Sequence, residues 1–242
     1  MKAIILAAGR GSRLLSLTED RPKCLVEAGE KPLLAWQIEA LRGAGIQDIL
    51  VVGGYLGHML HGPFVRRHNP DWDKTNMLAS LLVARDWLQA APCVISYADI
   101  VYPARAVARL LDAPGEIALL YDVNWRKLWT KRFDDPASDA ESFTLDAGGN
   151  VTGIGQKGVP LESIQGQYMG LLKITPAGLE WIEALLARQP ELRARLDMTA
   201  LLARLLAEGR KIASRPWDGP WCEVDTPEDL RVAEQILREE TW

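Results

Sequence analysis

The sequence is poor in cysteine and has no long apolar run. Cys24, Cys93 and Cys222 lie far apart, are odd in number and form no C-x-x-C pair. That pattern suits reduced thiols, so we expect a cytoplasmic protein. No apolar run approaches the roughly 20 residues that span a bilayer, so we expect no membrane segment. Because the sequence opens directly on a strand-like run, we also expect no signal peptide.

The chain also lacks an excess of either charge. Its 28 basic and 32 acidic residues are mixed along the sequence and give a net charge of −4, which argues against a nucleic-acid partner. The 242 residues, 48% of them hydrophobic, suffice for a full core in one or two domains. Whether copies of the chain form a homo-oligomer stays open at this stage.

Two familiar phosphate-binding signatures are missing. No G-x-x-x-x-G-K-[ST] string of a Walker loop occurs. The dinucleotide fingerprint needs a third glycine or alanine where Leu14 stands, and an acidic residue at the end of the second strand. That strand ends in Gly53-Gly54 instead. An NAD-dependent oxidoreductase is therefore disfavoured.

What the sequence does contain is a glycine-punctuated turn after its first apolar run. Gly9 and Gly11 can adopt positive φ and let backbone amides face outward. Arg10, Arg13 and Lys23 add positive charge around this turn. A strand that runs into bare N–H groups flanked by cations predicts a cradle for a polyphosphate.

Strand-like and helix-like runs alternate along most of the chain, which predicts an α/β fold with a mainly parallel sheet. The predicted strands are 2–7, 48–52, 93–97, 117–122, 151–154 and 168–174, and the predicted helices 32–43, 75–91, 103–112, 176–189 and 197–208. A last helix is predicted to begin at Thr226, with Pro227 at its first position and Asp229 completing the cap. Segment 124–167 breaks the alternation, and we interpret it as an insertion within a single domain, 1–242.

The string Leu6-Ala-Ala-Gly-Arg-Gly-Ser-Arg-Leu14, followed by Pro22-Lys23, resembles the signature of nucleotidyltransferases that join a nucleoside triphosphate to a phosphorylated acceptor. These include sugar-1-phosphate enzymes and phosphocholine cytidylyltransferases. The resemblance implies a Rossmann-like, three-layer fold with a mixed, mainly parallel central sheet. It also implies nucleotide binding by the turn, at Leu6, Ala7, Ala8, Gly9, Arg10, Gly11, Ser12, Arg13 and Lys23.

Two aspartates are candidates for a magnesium site. Asp99 follows an apolar strand, at the sheet edge where ligands bind in open α/β folds, and Asp225 precedes the capped helix. Mg²⁺ prefers one or two carboxylates, with substrate phosphates and water as its other ligands. The resemblance links the two positions as the family's metal-binding residues, although Ala98 stands where many members have glycine. It also assigns Tyr97, in the same string, to the nucleotide site.

Lys23 and Arg13 are the candidate catalytic residues. Phosphoryl-type transfer depends on positioning and on neutralising developing charge, so no nucleophilic side chain is needed. We expect Lys23 to act at the α-phosphate and Arg13 to hold the triphosphate. The absence of a Ser-His-Asp or Cys-His arrangement agrees with an acceptor that attacks through its own phosphate oxygen.

Segment 69–81 narrows the resemblance to phosphocholine-type cytidylyltransferases, since sugar-specific members usually carry a Gly/Ala-rich turn here. By this resemblance Asn76 and Ser80 line the nucleotide or acceptor site. The alternative from local sequence is a helix capped by Thr75 with an exposed Ser80.

The insertion resembles the acceptor-binding part of the same subgroup, and the similarity extends to Asp197-Met-Thr199. Two tryptophans four residues apart offer π-faces to an ammonium group, two acids offer opposite charge, and a lysine offers a point charge for the acceptor phosphate. The predicted acceptor-binding residues are Trp125, Trp129, Asp139, Glu141, Lys157 and Tyr168. A hydrophobic helix face and solvated loop acids remain the alternatives.

These observations predict a cytidylyltransferase that uses CTP and Mg²⁺. Its acceptor is expected to be a small phosphorylated or phosphonate amine: phosphocholine, phosphoethanolamine, an aminoalkylphosphonate or an amino-acid phosphate. The main rival is a sugar-1-phosphate nucleotidyltransferase that uses UTP, GTP or dTTP. A second rival is a non-catalytic nucleotide-binding regulatory domain, against which the intact Lys23, Asp99 and Asp225 argue.

Overall fold

A computed structural model describes residues 1–240 and 242 of the chain. Its strands are β1 (Lys2–Ala7), β2 (Glu27–Ala28), β3 (Lys31–Pro32), β4 (Ile49–Gly53), β5 (Val65–His68), β6 (Cys93–Tyr97), β7 (Ile100–Val101), β8 (Ile117–Asp122), β9 (Glu141–Leu145), β10 (Asn150–Lys157), β11 (Gln167–Ile174), β12 (Ile212–Trp217) and β13 (Cys222–Glu223). Its helices are α1 (Leu33–Gly43), α2 (Met77–Leu82), α3 (Arg85–Ala90), α4 (Ala104–Leu111), α5 (Trp125–Arg132), α6 (Pro176–Arg188), α7 (Leu192–Arg195), α8 (Met198–Ala207) and α9 (Pro227–Glu239).

A nine-stranded sheet forms the centre of the molecule, in the order β5-β4-β1-β6-β11-β8-β12-β10-β9. The strand pairings show that β10 and β11 run against the other strands, so the sheet is mixed and mostly parallel, as predicted. Strands β4 and β8 are buried along their whole length, which requires cover on both faces. Helices contact the sheet: α2 packs against β1, α4 against β8, β11 and β12, and α6 against β11.

The sheet order places a topological switch point beside β1. From β1 the chain passes through α1 to β4 and β5 on one side, then returns to β6 on the other side of β1. The carboxyl ends of β1 and β6 therefore border a crevice that no crossover connection covers, and such crevices are where open α/β sheets bind ligands.

Several elements differ from the predictions. The predicted helix 75–91 is two helices, α2 and α3, which are separated at Val83-Ala84. Strand β5 was not predicted because it is an exposed edge strand with two arginines, and β12 because it contains Pro216. Within 124–167 the structure adds α5 and β9, and β9 and β10 extend the central sheet.

The predicted capping box of α9 is confirmed. Thr226 Oγ1 accepts a hydrogen bond from the Asp229 backbone, and the Asp229 carboxylate accepts one from the Thr226 backbone. All three cysteines are buried and free. In the described part of the chain, the helices are too short or too polar to cross a membrane.

Candidate active site

The glycine turn after β1 is shaped by a close approach to Lys23. Gly11 has φ of 69°, and a Cβ at this position would lie 2.8 Å from the Cβ and Cδ atoms of Lys23. The Gly11 carbonyl accepts hydrogen bonds from the Leu14 amide at 3.0 Å and from Thr18 Oγ1 at 3.1 Å. Only glycine satisfies both the positive φ and the contact, so the turn fixes the backbone against the lysine stem.

A cavity of about 340 Å³ opens above this turn, at the switch point of the sheet. Its walls come from the turn, from α2 and the loop before it, and from the carboxylates beyond β6 and β13: Leu6, Ala7, Ala8, Gly9, Gly11, Ser12, Arg13, Lys23, Cys24, Trp72, Thr75, Asn76, Met77, Ser80, Ala98, Asp99 and Asp225. Arg10 is absent from these walls, because its guanidinium packs over the Tyr55 ring, 5.4 Å from the centroid. Tyr97 is also absent from them.

Three carboxylates meet at one side of this cavity, two of them in its walls. One oxygen from each of Asp99, Glu223 and Asp225 lies within 4.8 Å of the others. Pairing of β7 with β13 brings them together, and the Val224 amide donates to the Asp99 carbonyl at 2.8 Å. The sequence prediction did not include Glu223. Glu223 stands two residues before Asp225 in an extended segment, so the two side chains share one face. This spacing could have identified Glu223 as a third carboxylate of the cluster.

Lys23 and Arg13 neutralise this carboxylate cluster. Lys23 Nζ donates to Asp99 Oδ2 at 2.7 Å and to Asp225 Oδ1, and the lysine is only 9% exposed. Arg13 Nη2 lies 2.8 Å from Asp225 Oδ2, with most of its side chain in solvent. Both oxygens of Asp225 therefore contact cations.

The proximity of these groups shifts their pKa values. Burial alone would lower the pKa of Lys23, but the charges of Asp99 and Asp225 outweigh it and raise that pKa. Burial favours protonation of Asp225, yet Lys23 and Arg13 lower its pKa. Burial and the adjacent Asp225 carboxylate raise the pKa of Glu223. The cluster thus holds charged Lys23 and Asp225 side by side in a largely dry site.

The donor set fits a hard divalent cation. The three groups are carboxylates, the ligands that Mg²⁺ prefers, and Asp99 Oδ1 is buried without a hydrogen-bond partner. An unpaired buried carboxylate oxygen is costly unless a ligand or ion satisfies it. Asp99, Glu223 and Asp225 are therefore the residues that could hold the metal.

The wall beside α2 depends on a buried asparagine. Asn69 Nδ2 donates to Ser80 Oγ at 3.0 Å and to Thr75 Oγ1 at 3.1 Å, which orients both hydroxyls. The helix cap is Asn76, whose Oδ1 accepts from the Met77 amide at 2.8 Å, so the alternative of a Thr75 cap is wrong. Ser80 is buried rather than exposed on the helix surface.

A second cavity, of about 300 Å³, adjoins the first, and Arg13, Met77 and Asp225 belong to the walls of both. Its lining combines acids, aromatic rings and two exposed cations: Arg13, Met77, Tyr97, Trp129, Asp139, Glu141, Ser142, Phe143, Ile154, Lys157, Gln167, Tyr168, Asp197, Thr199, Glu223 and Asp225. The carboxylate cluster therefore lies between two compartments.

The Gln167 side chain binds the backbone of Glu141 and so fixes this residue in the second cavity. Gln167 Nε2 donates to the Glu141 carbonyl at 2.6 Å, and Gln167 Oε1 accepts from the Glu141 amide at 3.2 Å. The Gln167 side chain therefore makes the pair of hydrogen bonds that a neighbouring strand would make. Burial raises the pKa of the Glu141 carboxyl. Lys157 Nζ is 3.9 Å from Asp139 Oδ1, which places opposite charges on one wall.

The structure separates the two predicted tryptophans. Trp129 lines the second cavity, whereas Trp125 is buried behind it, with the rings edge to face at 6.0 Å. Trp125, predicted as an acceptor-binding residue, lies in the core under α5 and lines neither cavity. Tyr97 and Tyr168 meet edge to face at 5.7 Å in the second cavity, so Tyr97 lines that cavity rather than the one above the glycine turn.

Together the fold and the site are those of a nucleotidyltransferase. Residues 3–210 match the MobA-like NTP transferase domain, and the chain belongs to that family. It is 37% identical to the CTP:phosphoglutamine cytidylyltransferase of Campylobacter jejuni, over 96% of this chain and 98% of that protein. It is 27% identical to the UTP–glucose-1-phosphate uridylyltransferase AglF of Haloferax volcanii, over 100% of this chain and 98% of that one. The solved phosphocholine cytidylyltransferase of Streptococcus pneumoniae superposes with a TM-score of 0.72 at 22% identity, covering 98% of each chain, which confirms the fold.

Proposed function

We propose that this enzyme is a Mg²⁺-dependent cytidylyltransferase that joins CTP to a small phosphorylated or phosphonate acceptor bearing an amine. The observation that carries the proposal is the position of the carboxylate cluster. It lies between a cavity with a glycine turn and a cavity lined by acids and aromatic rings. The similarity to a CTP:phosphoglutamine cytidylyltransferase over nearly the whole chain supports the choice of nucleotide and acceptor class.

In this proposal the first cavity holds CTP. Backbone amides of the turn from Gly9 to Arg13 bind the triphosphate, with Arg13 as an exposed cation beside them. Asn76 and Ser80 form the wall on the nucleobase side. Lys23, already charged and held beside the cluster, neutralises negative charge that develops at the α-phosphate.

The second cavity holds the acceptor with its phosphate toward Arg13 and its amine toward Glu141 and Asp139. An acceptor oxygen then attacks the α-phosphorus in line: a new O–P bond forms, the bond between the α-phosphorus and the bridging oxygen to the β-phosphate breaks, and pyrophosphate leaves with that electron pair. Asp99, Glu223 and Asp225 would hold Mg²⁺, which supplies Lewis-acid stabilisation of phosphate charge when bound.

The two acids of the second cavity, Asp139 and Glu141, favour a cationic acceptor over a neutral one. A carboxylate attracts any ammonium group and adds a charge-assisted hydrogen bond to an amine that has protons. Both quaternary and primary amines therefore fit this wall.

Release of pyrophosphate, measured for four nucleoside triphosphates against a panel of acceptors, tests the proposal. The panel holds phosphocholine, phosphoethanolamine, an aminoalkylphosphonate, an amino-acid phosphate, glucose-1-phosphate and glycerol phosphate. We expect the fastest release with CTP and an amine-bearing acceptor. Faster release with UTP or dTTP and the hexose phosphate would instead identify a sugar nucleotidyltransferase. No release with any pair would favour a regulatory nucleotide-binding domain.

A further inference from the structure

One buried arginine connects the second cavity to the carboxylate cluster. Arg132 is the last residue of α5, and its side chain is 0% exposed. Its Nε donates to Asp229 Oδ1 at 2.7 Å, and its Nη2 donates to Glu223 Oε2 at 3.1 Å. A single guanidinium therefore binds carboxylates that lie on either side of Asp225 in the sequence.

Asp229 transmits this contact to the backbone of the cluster. Its second oxygen, Oδ2, accepts hydrogen bonds from the amides of Asp225 at 3.1 Å and Thr226 at 2.9 Å. The direction of the Asp225 side chain depends on this turn. Arg132 thus contacts Glu223 directly and fixes the orientation of Asp225 through Asp229.

The same guanidinium also packs on the wall of the second cavity. Its central carbon is 5.2 Å from the ring centroid of Trp129, which lies one helical turn before Arg132 on α5. A displacement of α5 would therefore move both the Trp129 wall and the support of the carboxylates.

Stability alone does not account for this arrangement. Burying an arginine with two carboxylates costs desolvation free energy, and a packed apolar trio is often as stable or more stable. Groups that orient metal ligands, by contrast, typically change metal affinity or activity by about 10- to 100-fold when they are replaced.

We propose that Arg132 is a positioning residue that sets the orientation of Glu223 and Asp225 for a divalent metal ion and ties that orientation to the Trp129 wall. The inference rests on the proposed function, because the metal site is part of it. Because the inference concerns the geometry of the metal ligands, replacing Arg132 must change metal affinity itself and not only turnover.

The test compares Arg132→Lys with Lys131→Gln, a change of the exposed neighbouring cation on the same helix. Lysine keeps the charge but loses the fork that reaches two carboxylates at once. We measure the Kd for Mn²⁺ by electron paramagnetic resonance, with and without CTP, and the Mg²⁺ concentration that half-activates pyrophosphate release. For Arg132→Lys both values should rise by about 10- to 100-fold. The KM for CTP at saturating Mg²⁺ should stay near that of the wild type, and Lys131→Gln should match the wild type throughout.

Each outcome decides a different point. Unchanged Mn²⁺ affinity and Mg²⁺ activation in a folded Arg132→Lys would overturn the positioning role while leaving the proposed function intact. Absence of Mn²⁺ binding in the wild type, even with CTP, would overturn the metal site of the proposed function instead. Arg132→Gln, which keeps a donor for Asp229, serves as the second variant. If neither variant unfolds cooperatively on heating, Arg132 is a folding residue and the inference fails.

Discussion

Replacing Lys23 with methionine should tighten the binding of a divalent cation to the nucleotide-free enzyme while slowing catalysis. In the structure the Lys23 ammonium bridges Asp99 and Asp225, two of the three carboxylates that would hold the metal. Methionine keeps an unbranched stem against Gly11 and removes the charge. A cation that enters the variant no longer competes with the lysine for these oxygens.

The size of the effect follows from the charges involved. Two unit charges 4 Å apart interact by about 4 kcal/mol at an effective dielectric constant of about 20, and Lys23 contacts two carboxylates. Solvation of the released ammonium returns much of this free energy, and measured couplings between sites are typically about 1–3 kcal/mol, or about 5- to 150-fold. We therefore expect the Kd for Mn²⁺ to fall by about 5- to 150-fold.

The same reasoning predicts that CTP and metal bind cooperatively to the wild type. We expect a bound triphosphate to draw Lys23 and Arg13 away from the carboxylates, so that the carboxylates become free for the cation. Titration of Mn²⁺ with and without CTP should show this coupling, and the Lys23→Met variant should show less of it. Lys31→Met, which removes a lysine that pairs with Glu39 outside both cavities, is the control. Mn²⁺ binding to Lys23→Met that is no tighter than to the wild type would refute the competition.

Four further predictions concern individual side chains. Asp99→Asn or Asp225→Asn should lower kcat by about 100-fold or more with the fold intact, since each change removes a carboxylate of the proposed metal site. A variant that keeps more than half of the wild-type turnover at saturating Mg²⁺ would remove that residue from the metal site. Arg13→Ala should raise the KM for CTP far more than it lowers kcat, and the reverse split would make Arg13 a group that acts mainly in the transition state. Glu141→Gln should raise the acceptor KM and leave the KM for CTP nearly unchanged. Equal acceptor KM values in the variant and the wild type would remove Glu141 from the acceptor site. Because burial raises the pKa of Glu141, its ionisation opposes folding as the pH rises through that pKa, so Glu141→Gln should raise Tm more at about pH 8 than at about pH 4.

The parts of the site that were predictable are those encoded within short segments. The glycine turn, the capping box of α9 and the position of Asp99 after β6 each depend on neighbouring residues, so a single sequence reveals them. The supports of the site were not predictable in this way. Arg132 is 91 residues from Glu223 and 97 from Asp229, and no local pattern connects an arginine of α5 with acids near α9.

Tertiary packing also decided between residues that look equivalent in sequence. Trp125 and Trp129 are one helical turn apart, and the sequence offered no reason to treat them differently. Both rings are almost fully buried, Trp125 at 2% and Trp129 at 3% exposed, but only Trp129 lines the second cavity. Similarly, β11 runs against most of the sheet, so Gln167 and Tyr168 at its beginning reach the edge where the other strands end.

The wall that the two cavities share has a consequence for the end of the reaction. Arg13, Met77 and Asp225 border both compartments. Under the proposed function, a nucleotidyl-acceptor product would therefore occupy the two cavities at once with a single loss of translational freedom. Its two halves act as linked ligands, each of which raises the effective concentration of the other at its own subsite. The product should therefore inhibit the enzyme at concentrations below the Kd of either substrate. Its departure, rather than bond formation, would then limit turnover once pyrophosphate has left.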